Sequence, residues 1–448
     1  MRRQVLIALT LTCVWALSQL SRAQEAVSST SGGSTSGTSS APSSGAATTD
    51  LSAGTSAASS PQAVSNAPSA TNALQGGGVS GTGVFSPTPV KLYLSLSGGY
   101  DDNVNTNLGP KQGSAFTSGN LILDYTFGDP RLKIALNLGV GGVYYFEHVT
   151  GQEYDIDLKG AMGLAYRASP RLTLGSTILL EYLTEPNFDN PGGLNSRNGN
   201  YFYTTDNFFL EYEWSSRFFT KTSYTFEAYQ YDNNVVGFFS NRTSHTFGNE
   251  FRFQMVPTTL LVAEYRYDII SYEDASLDST THYALGGIDH VFNPRFTASL
   301  RGGAQFRSYD TDGDRTGPYF EGTLNYIVGQ RTSVSWNARY GLEEPDTAGA
   351  QSRTTFRTGL HGKFDLTSRV SSTLDLYYTH DDYHSLTTAL FPIAPFTEDT
   401  FDIGLALRYA ITPLVGVQAA YHYTDVTSNN SFREYSRNRV SGGISFTF

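Results

Sequence analysis

The stretch Phe296-Thr297-Ala298-Ser299-Leu300-Arg301-Gly302-Gly303-Ala304-Gln305-Phe306-Arg307 decides the fold. Phe296, Ala298, Leu300, Gly302, Ala304 and Phe306 take one side, while Thr297, Ser299, Arg301, Gln305 and Arg307 take the other. Side chains of a strand point alternately to opposite faces, so this period of two makes one apolar and one polar face; a helix would group residues three and four apart instead. The pattern recurs in Leu132, Ile134, Leu136, Leu138 and Val140, in Tyr154, Ile156, Leu158, Met162, Leu164 and Tyr166, and in Phe401, Ile403, Leu405, Leu407 and Tyr409. Lys133 and Asn137, then Asp155, Asp157 and Lys159, then Asp402 and Arg408 lie opposite them.

Two kinds of connection alternate between these segments. Short ones read Gly128-Asp129-Pro130-Arg131, Ala168-Ser169-Pro170-Arg171, Phe292-Asn293-Pro294-Arg295 and Leu366-Thr367-Ser368-Arg369. They are turn compositions, because proline fixes φ and Asp, Asn, Ser or Thr bonds its own backbone two residues on. Longer polar ones fall near 101–116, 147–153, 184–200, 232–241, 272–280, 310–317, 343–352, 381–397 and 425–436. About nine long loops and eight short turns give about 18 strands of roughly 10 to 14 residues, with both ends of the barrel on the short-turn side. The expected fold is all-β: a transmembrane, antiparallel, up-and-down β-barrel over 91–448.

Composition agrees. Charged residues are only 16%, aromatics reach 13% with 29 Tyr and 28 Phe, and the 44 glycines suit bends rather than helices. Arg2, Arg3, the apolar run Val5–Leu17 and the Ser21-Arg22-Ala23 site read as a secretory signal peptide over 1–23, too short to span a bilayer. The only cysteine, Cys13, leaves with it, so disulfides cannot stabilise the mature chain. Residues 24–90 are Ser, Gly, Ala, Thr and Pro with Glu25 and Asp50 as the only charges, too little apolar surface to offset chain entropy, so a disordered spacer is expected there. The net charge of −11 argues against a nucleic-acid partner.

Aromatic residues decide which face meets lipid. Tyr166, Tyr182, Tyr212, Trp214, Phe218, Tyr267, Phe296, Tyr326, Tyr340, Tyr378 and Tyr409 fall near strand ends, where amphipathic rings form interfacial girdles. The last residues, Val440-Ser441-Gly442-Gly443-Ile444-Ser445-Phe446-Thr447-Phe448, look like the signal read by the outer-membrane barrel assembly machinery, with Phe446 and Phe448 carrying it. With Leu94–Tyr100 running into Asp101-Asp102-Asn103-Val104-Asn105 and the Pro-Arg turns, the chain resembles, over roughly 91–448, the β-barrel porin family often found in exopolysaccharide-associated gene neighbourhoods. That resemblance implies a barrel in the outer membrane more firmly than any solute.

Alternation puts Lys133, Asp157, Lys159, Glu181, Glu227, Glu250, Arg252, Glu264, Arg266, Asp268, Arg301, Arg307, Arg339, Arg357, Lys363, Asp375, Asp402 and Arg408 on the lumen face as pore-lining residues. Facing acids and bases would set a transverse field that screens solutes by size and charge. The apolar loop 381–397, with Leu390, Phe391, Ile393 and Phe396, is a candidate constriction. His245, His282, His290, His361, His380, His384 and His422 are scattered without a nucleophile elbow or zinc spacing, and read as lumen or loop residues. Asp310-Thr311-Asp312-Gly313-Asp314 lacks the later glutamate of a calcium loop. The expected function is therefore a passive, porin-like channel for small hydrophilic solutes, not an enzyme, with no catalytic residue, cofactor or metal. A non-conducting accessory barrel for exopolysaccharide export or assembly, with a periplasmic or exopolysaccharide partner, is the alternative. Oligomeric state is open.

Overall fold

The computed structural model describes residues 90–448 apart from 107–108, 130, 148–153, 185, 187–199, 234–235, 237–238, 274–276, 329–331 and 387–392. The expected signal peptide and spacer lie outside the described residues. Strands follow in order: β1 (Val90–Asp101), β2 (Ser114–Gly128), β3 (Leu132–Tyr145), β4 (Tyr154–Ser169), β5 (Leu172–Thr184), β6 (Asn200–Ser215), β7 (Phe218–Tyr231), β8 (Arg242–Val256) and β9 (Thr259–Tyr272). The second half holds β10 (Ser279–Asn293), β11 (Phe296–Tyr309), β12 (Arg315–Val328), β13 (Thr332–Glu343), β14 (Ala350–Asp365), β15 (Val370–Ser385), β16 (Phe396–Ala410), β17 (Val415–Ser428) and β18 (Tyr435–Thr447).

Each strand pairs with the next in a single 18-stranded sheet, and β1 pairs antiparallel with β18 from Tyr93 opposite Thr447 to Asp101 opposite Arg439. Leu92 and Phe448 exchange both backbone N–H···O bonds, at 3.1 and 2.8 Å. The sheet thus closes and leaves no unpaired edge, the condition for strands to cross a bilayer. The expected all-β, up-and-down barrel of about 18 strands is what the chain forms.

The short turns are made by the residues that the sequence marks. Asp129 Oδ1 accepts the N–H groups of Arg131 and Leu132 at 2.7 and 2.8 Å, and Asn293 Oδ1 accepts that of Arg295 at 2.9 Å. Thr367 and Thr412 do the same with their hydroxyls, toward Arg369 and Val370 and toward Leu414 and Val415. Those two N–H donors hold the exposed Asp129 carboxyl below its usual range.

At the long-loop end the strands run further than expected. β15 continues through Ser385 and β17 through Ser428, so 381–385 and 425–428 are strand rather than loop. Their polar composition reads as loop, but a backbone ladder is indifferent to side-chain polarity when an inward carboxylate meets a cation. Asp381 in β15 does so, 3.4 Å from Arg353 of β14.

Burial separates the two faces. Leu300, Phe306, Phe401, Leu405, Leu407 and Tyr409 are exposed, as are Tyr166, Trp214, Tyr326 and Tyr378 of the expected girdles. Residues between them are buried and bond to strands several places around the ring, which only the interior permits: Arg266 of β9 reaches Glu321 of β12 at 2.7 Å. The buried apolar clusters lie on this inner side. Tyr201, Tyr203, Tyr229 and Tyr231 of β6 and β7 form one, with Tyr203 and Tyr229 centroids 4.5 Å apart. Among the described residues no helix is long and apolar enough to cross a membrane; the strands carry the exposed apolar surface.

Candidate functional site

The inner face is a lattice of charge. A buried charge is costly unless it is paired and hydrogen-bonded, so its partners define the site. On β8, Arg252 meets Glu250 at 2.7 Å and Glu211 of β6 at 3.3 Å, and Lys221 of β7 stands 3.6 Å from Glu250. On β9, Glu264 meets Arg266 at 2.5 Å and Arg301 of β11 at 3.8 Å, and Arg301 holds Asp289 of β10 at 2.7 Å. Tyr319 donates its hydroxyl to Glu321 at 2.7 Å. Glu343 of β13 gathers Arg339, with Arg353 and Arg357 at 3.7 and 3.6 Å. Lys159 meets Glu181 at 2.5 Å across β4 and β5, and Arg437 of β18 meets Asp101 of β1 at 2.5 Å across the closing seam.

Every residue expected to line the lumen falls on this inward register. Arg266 is 0% exposed, Arg301 and Glu250 1% and Arg307 2%, so they interlock with their neighbours instead of standing in open water. Asp268 accepts the hydroxyls of Ser244 and Thr246 at 2.6 and 3.0 Å, and Glu227 accepts that of Tyr203 at 3.2 Å. Asp375 is bonded to His361 at 2.5 Å, and Asp402 to His422 at 2.6 Å. Asp157 shares its face with Asp155 and Lys159, and Lys363 lies inward on β14. Lys133 at the short-turn end of β3 is exposed, and Arg408 donates to Thr447 Oγ1 at 3.2 Å.

Among the described residues, the segment 344–349, between β13 and β14, turns inward. Glu344 reaches back around the ring to Arg307 of β11 at 2.8 Å and accepts the Tyr272 hydroxyl of β9 at 2.9 Å. Asp346 has a side chain 0% exposed; it accepts from Tyr383 Oη and Arg433 Nη2, both at 2.7 Å, and Arg433 also holds Glu398 at 2.6 Å. Burial alone would raise the Asp346 carboxyl, but Arg433 and then Arg353 outweigh it and hold it below the usual range. Gly349, with φ of 83°, supplies the left-handed step that returns the chain to β14. Of the expected constriction, Ile393 packs on Ala350, Tyr383 and Phe396, while Leu390 and Phe391 lie outside the described residues.

Glu343, Asp346, Asp381 and Arg433 are inner-face residues that the pattern did not single out, because their segments read as loops; Arg353 and Glu398 stand one residue beyond such loops, at the ends of β14 and β16. Glu321 and Asp289 were within reach of simple alternation. The histidines divide: His361 and His422 face inward, but His245 and His282 lie on the outer face, bonded to Tyr224 and Tyr265 at 2.9 and 2.7 Å, and His380 meets Asp399 there at 2.8 Å. In the 310–314 turn, Asp312 accepts its own loop's Gly313 N–H at 2.8 Å.

A closed antiparallel ring with apolar side chains and aromatic rings outside and paired charges inside is the construction of a β-barrel porin. The chain belongs to the family described as "Putative beta-barrel porin 2", whose model matches residues 89–448. No curated protein matches it. Similar solved structures include Acinetobacter baumannii OccAB3, at 12% identity and a TM-score of 0.42 over 80% of this chain and 99% of that one. Pseudomonas aeruginosa OccK2 (OpdF) in complex with glucuronate is similar at 11% identity and 0.41, over 80% and 98%. The siderophore receptor PirA of Acinetobacter baumannii is similar at 7% and 0.40, over 81% of each chain.

Proposed function

We propose that this protein is an outer-membrane, porin-like channel through which small hydrophilic solutes diffuse passively, with no cofactor and no turnover. The observation that carries the reading is the division of one closed ring into an exposed apolar outer face and a charged inner face. Barrels of 16 to 18 strands are wide enough to hold an aqueous path unless side chains or loops narrow it. Here the inward segment 344–349 and the interlocked arginines narrow it, which selects small solutes. In this reading the signal peptide exports the chain, the spacer is periplasmic, and the assembly machinery reads Phe446 and Phe448 while the outer face meets lipid.

Single-channel recording of the full-length chain in a planar bilayer, with a size series of sugars, tests it. Small, steady, weakly selective steps are expected. A folded, heat-modifiable barrel that passes no current would overturn the passive channel. It would favour the accessory barrel instead, for which the complete burial of Arg266, Arg301 and Arg353 speaks.

A further inference from the structure

We infer that a cavity in the inner wall beside the inward segment 344–349, bordered by β7 to β13, holds the ammonium group of a small primary amine. Glu227 of β7 and Asp268 of β9 line it, with Arg242, Arg307 and Arg339 and with Glu343 and Glu344. Together they surround about 650 Å³ of empty space, its open side included. Arg307 meets Glu344 at 2.8 Å and Arg339 meets Glu343, so each of these guanidiniums has its own carboxylate within the lining. Arg242 lies over the Tyr229 ring at 4.0 Å and donates to Ser240 O at 3.3 Å; it is one positive charge against the two negative charges of Glu227 and Asp268. The lining thus carries a surplus of one negative charge, and Arg353 and Arg357, which also approach Glu343, stand outside it.

Glu227 and Asp268 flank one small residue, since Ser244 pairs with Glu227 across β7 and β8 and donates to Asp268 at 2.6 Å. Among the described residues neither carboxylate is in an ion pair, although Asp268 is only 6% exposed. Tyr203 donates to Glu227 Oε2, and Ser244 and Thr246 both donate to Asp268 Oδ1, which leaves Glu227 Oε1 and Asp268 Oδ2 without a donor there. Tyr283 of β10 makes the cavity more than an acidic pair. It is 4% exposed, its ring packs edge-on against Tyr319 with centroids 5.2 Å apart, and its hydroxyl has no hydrogen-bond partner among the described residues. That hydroxyl lies within electrostatic reach of Arg307, Asp268, Glu344 and Arg339, all of which line the cavity, so it is aimed into it. A buried carboxylate without a cation is costly, and a buried hydroxyl without a partner is unfavourable. A primary ammonium has three donors and no acceptor, so it suits two carboxylate oxygens and a hydroxyl oxygen that share one cavity.

The inference rests on and deepens the channel reading by naming the chemistry of a solute, yet its test does not depend on conduction. Saturation-transfer NMR titrations of the folded full chain in detergent micelles at pH 7 and fixed ionic strength read the site directly. The probes are ethanolammonium, ethylene glycol and glycolate, which are alike in size and differ in charge. Saturable ethanolammonium binding is expected, at least about tenfold tighter than that of either other probe. Glu227→Gln and Asp268→Asn should each weaken it at least about tenfold, and Tyr283→Phe by about threefold. Heat-modifiability establishes that each variant is folded. The glutamine of Glu227→Gln still accepts from Tyr203, which keeps the test decisive where Asp268→Asn prevents folding. Equal binding of ethanolammonium and ethylene glycol, tighter binding of glycolate, or ethanolammonium binding unchanged in the folded carboxylate variants overturns the site. Ethanolammonium binding by a barrel that passes no current would sustain the site while overturning the channel.

Discussion

Asp346→Asn should release the inward segment 344–349. Asp346 is fully buried and receives Arg433 Nη2 and Tyr383 Oη at 2.7 Å, with Arg353 Nη1 at 4.0 Å. Breaking a buried pair by removing one charge costs about 3 to 5 kcal/mol. Arg433 keeps Glu398 at 2.6 Å, and an asparagine oxygen still accepts from Tyr383, so about 2 to 3 kcal/mol is the appropriate share here. At about 1.4 kcal/mol per tenfold, the open population rises roughly 30- to 140-fold. Hydrogen exchange reads that population at the Leu386 amide, which donates to Gly349 O at 2.9 Å and loses its acceptor when the segment moves. The charge balance also sets the pH dependence. The folded carboxyl titrates below its unfolded value, so the latch contributes fully above the unfolded value of about 3.9 and is lost as pH falls through the folded one. Between pH 5 and 8, exchange corrected for its intrinsic rate should therefore show an opening that does not change with pH. An Asp346→Asn increase of less than about threefold would refute the latch.

Other consequences follow from the two faces and the closing seam. Arg266→Met leaves Glu264 and Glu321 buried without their guanidinium and should lower stability by about 3 to 5 kcal/mol, while Glu264→Gln/Arg266→Met/Glu321→Gln recovers most of it; urea midpoints decide, and equal loss in both variants contradicts the pairing. Leu405→Arg, on the exposed face of β16, should cost about 2 to 4 kcal/mol in bilayers, and an unchanged unfolding free energy would mean that this face does not meet lipid. Phe448→Ala should slow insertion by purified assembly machinery yet leave the barrel foldable in detergent, because the Leu92–Phe448 bonds are backbone bonds; insertion at the normal rate would remove Phe448 from the recognition signal.

How much of this was legible in sequence depends on the range of each interaction. The outer face, the strand directions and the inward placement of residues such as Arg301 and Glu250 follow from a period of two, which each strand expresses by itself. The short turns were equally legible, since Asp129 and Asn293 bond N–H groups two residues away. Strand ends were misjudged where polar residues such as Asp381 continue the ladder, because their stabilisation comes from Arg353 across the sheet and not from neighbours in sequence.

The sequence by itself determined a β architecture, its approximate strand number and which residues face which side, because side-chain alternation and Asx-type turns are local physics. Tertiary structure alone decided which charges meet. Arg437 finds Asp101 only when β18 closes on β1, and Glu344 finds Arg307 only when the segment after β13 folds inward. Those partners are chosen by ring closure and register, which put groups far apart in the chain within hydrogen-bond distance, and by the desolvation cost that leaves no buried charge indifferent to its neighbour.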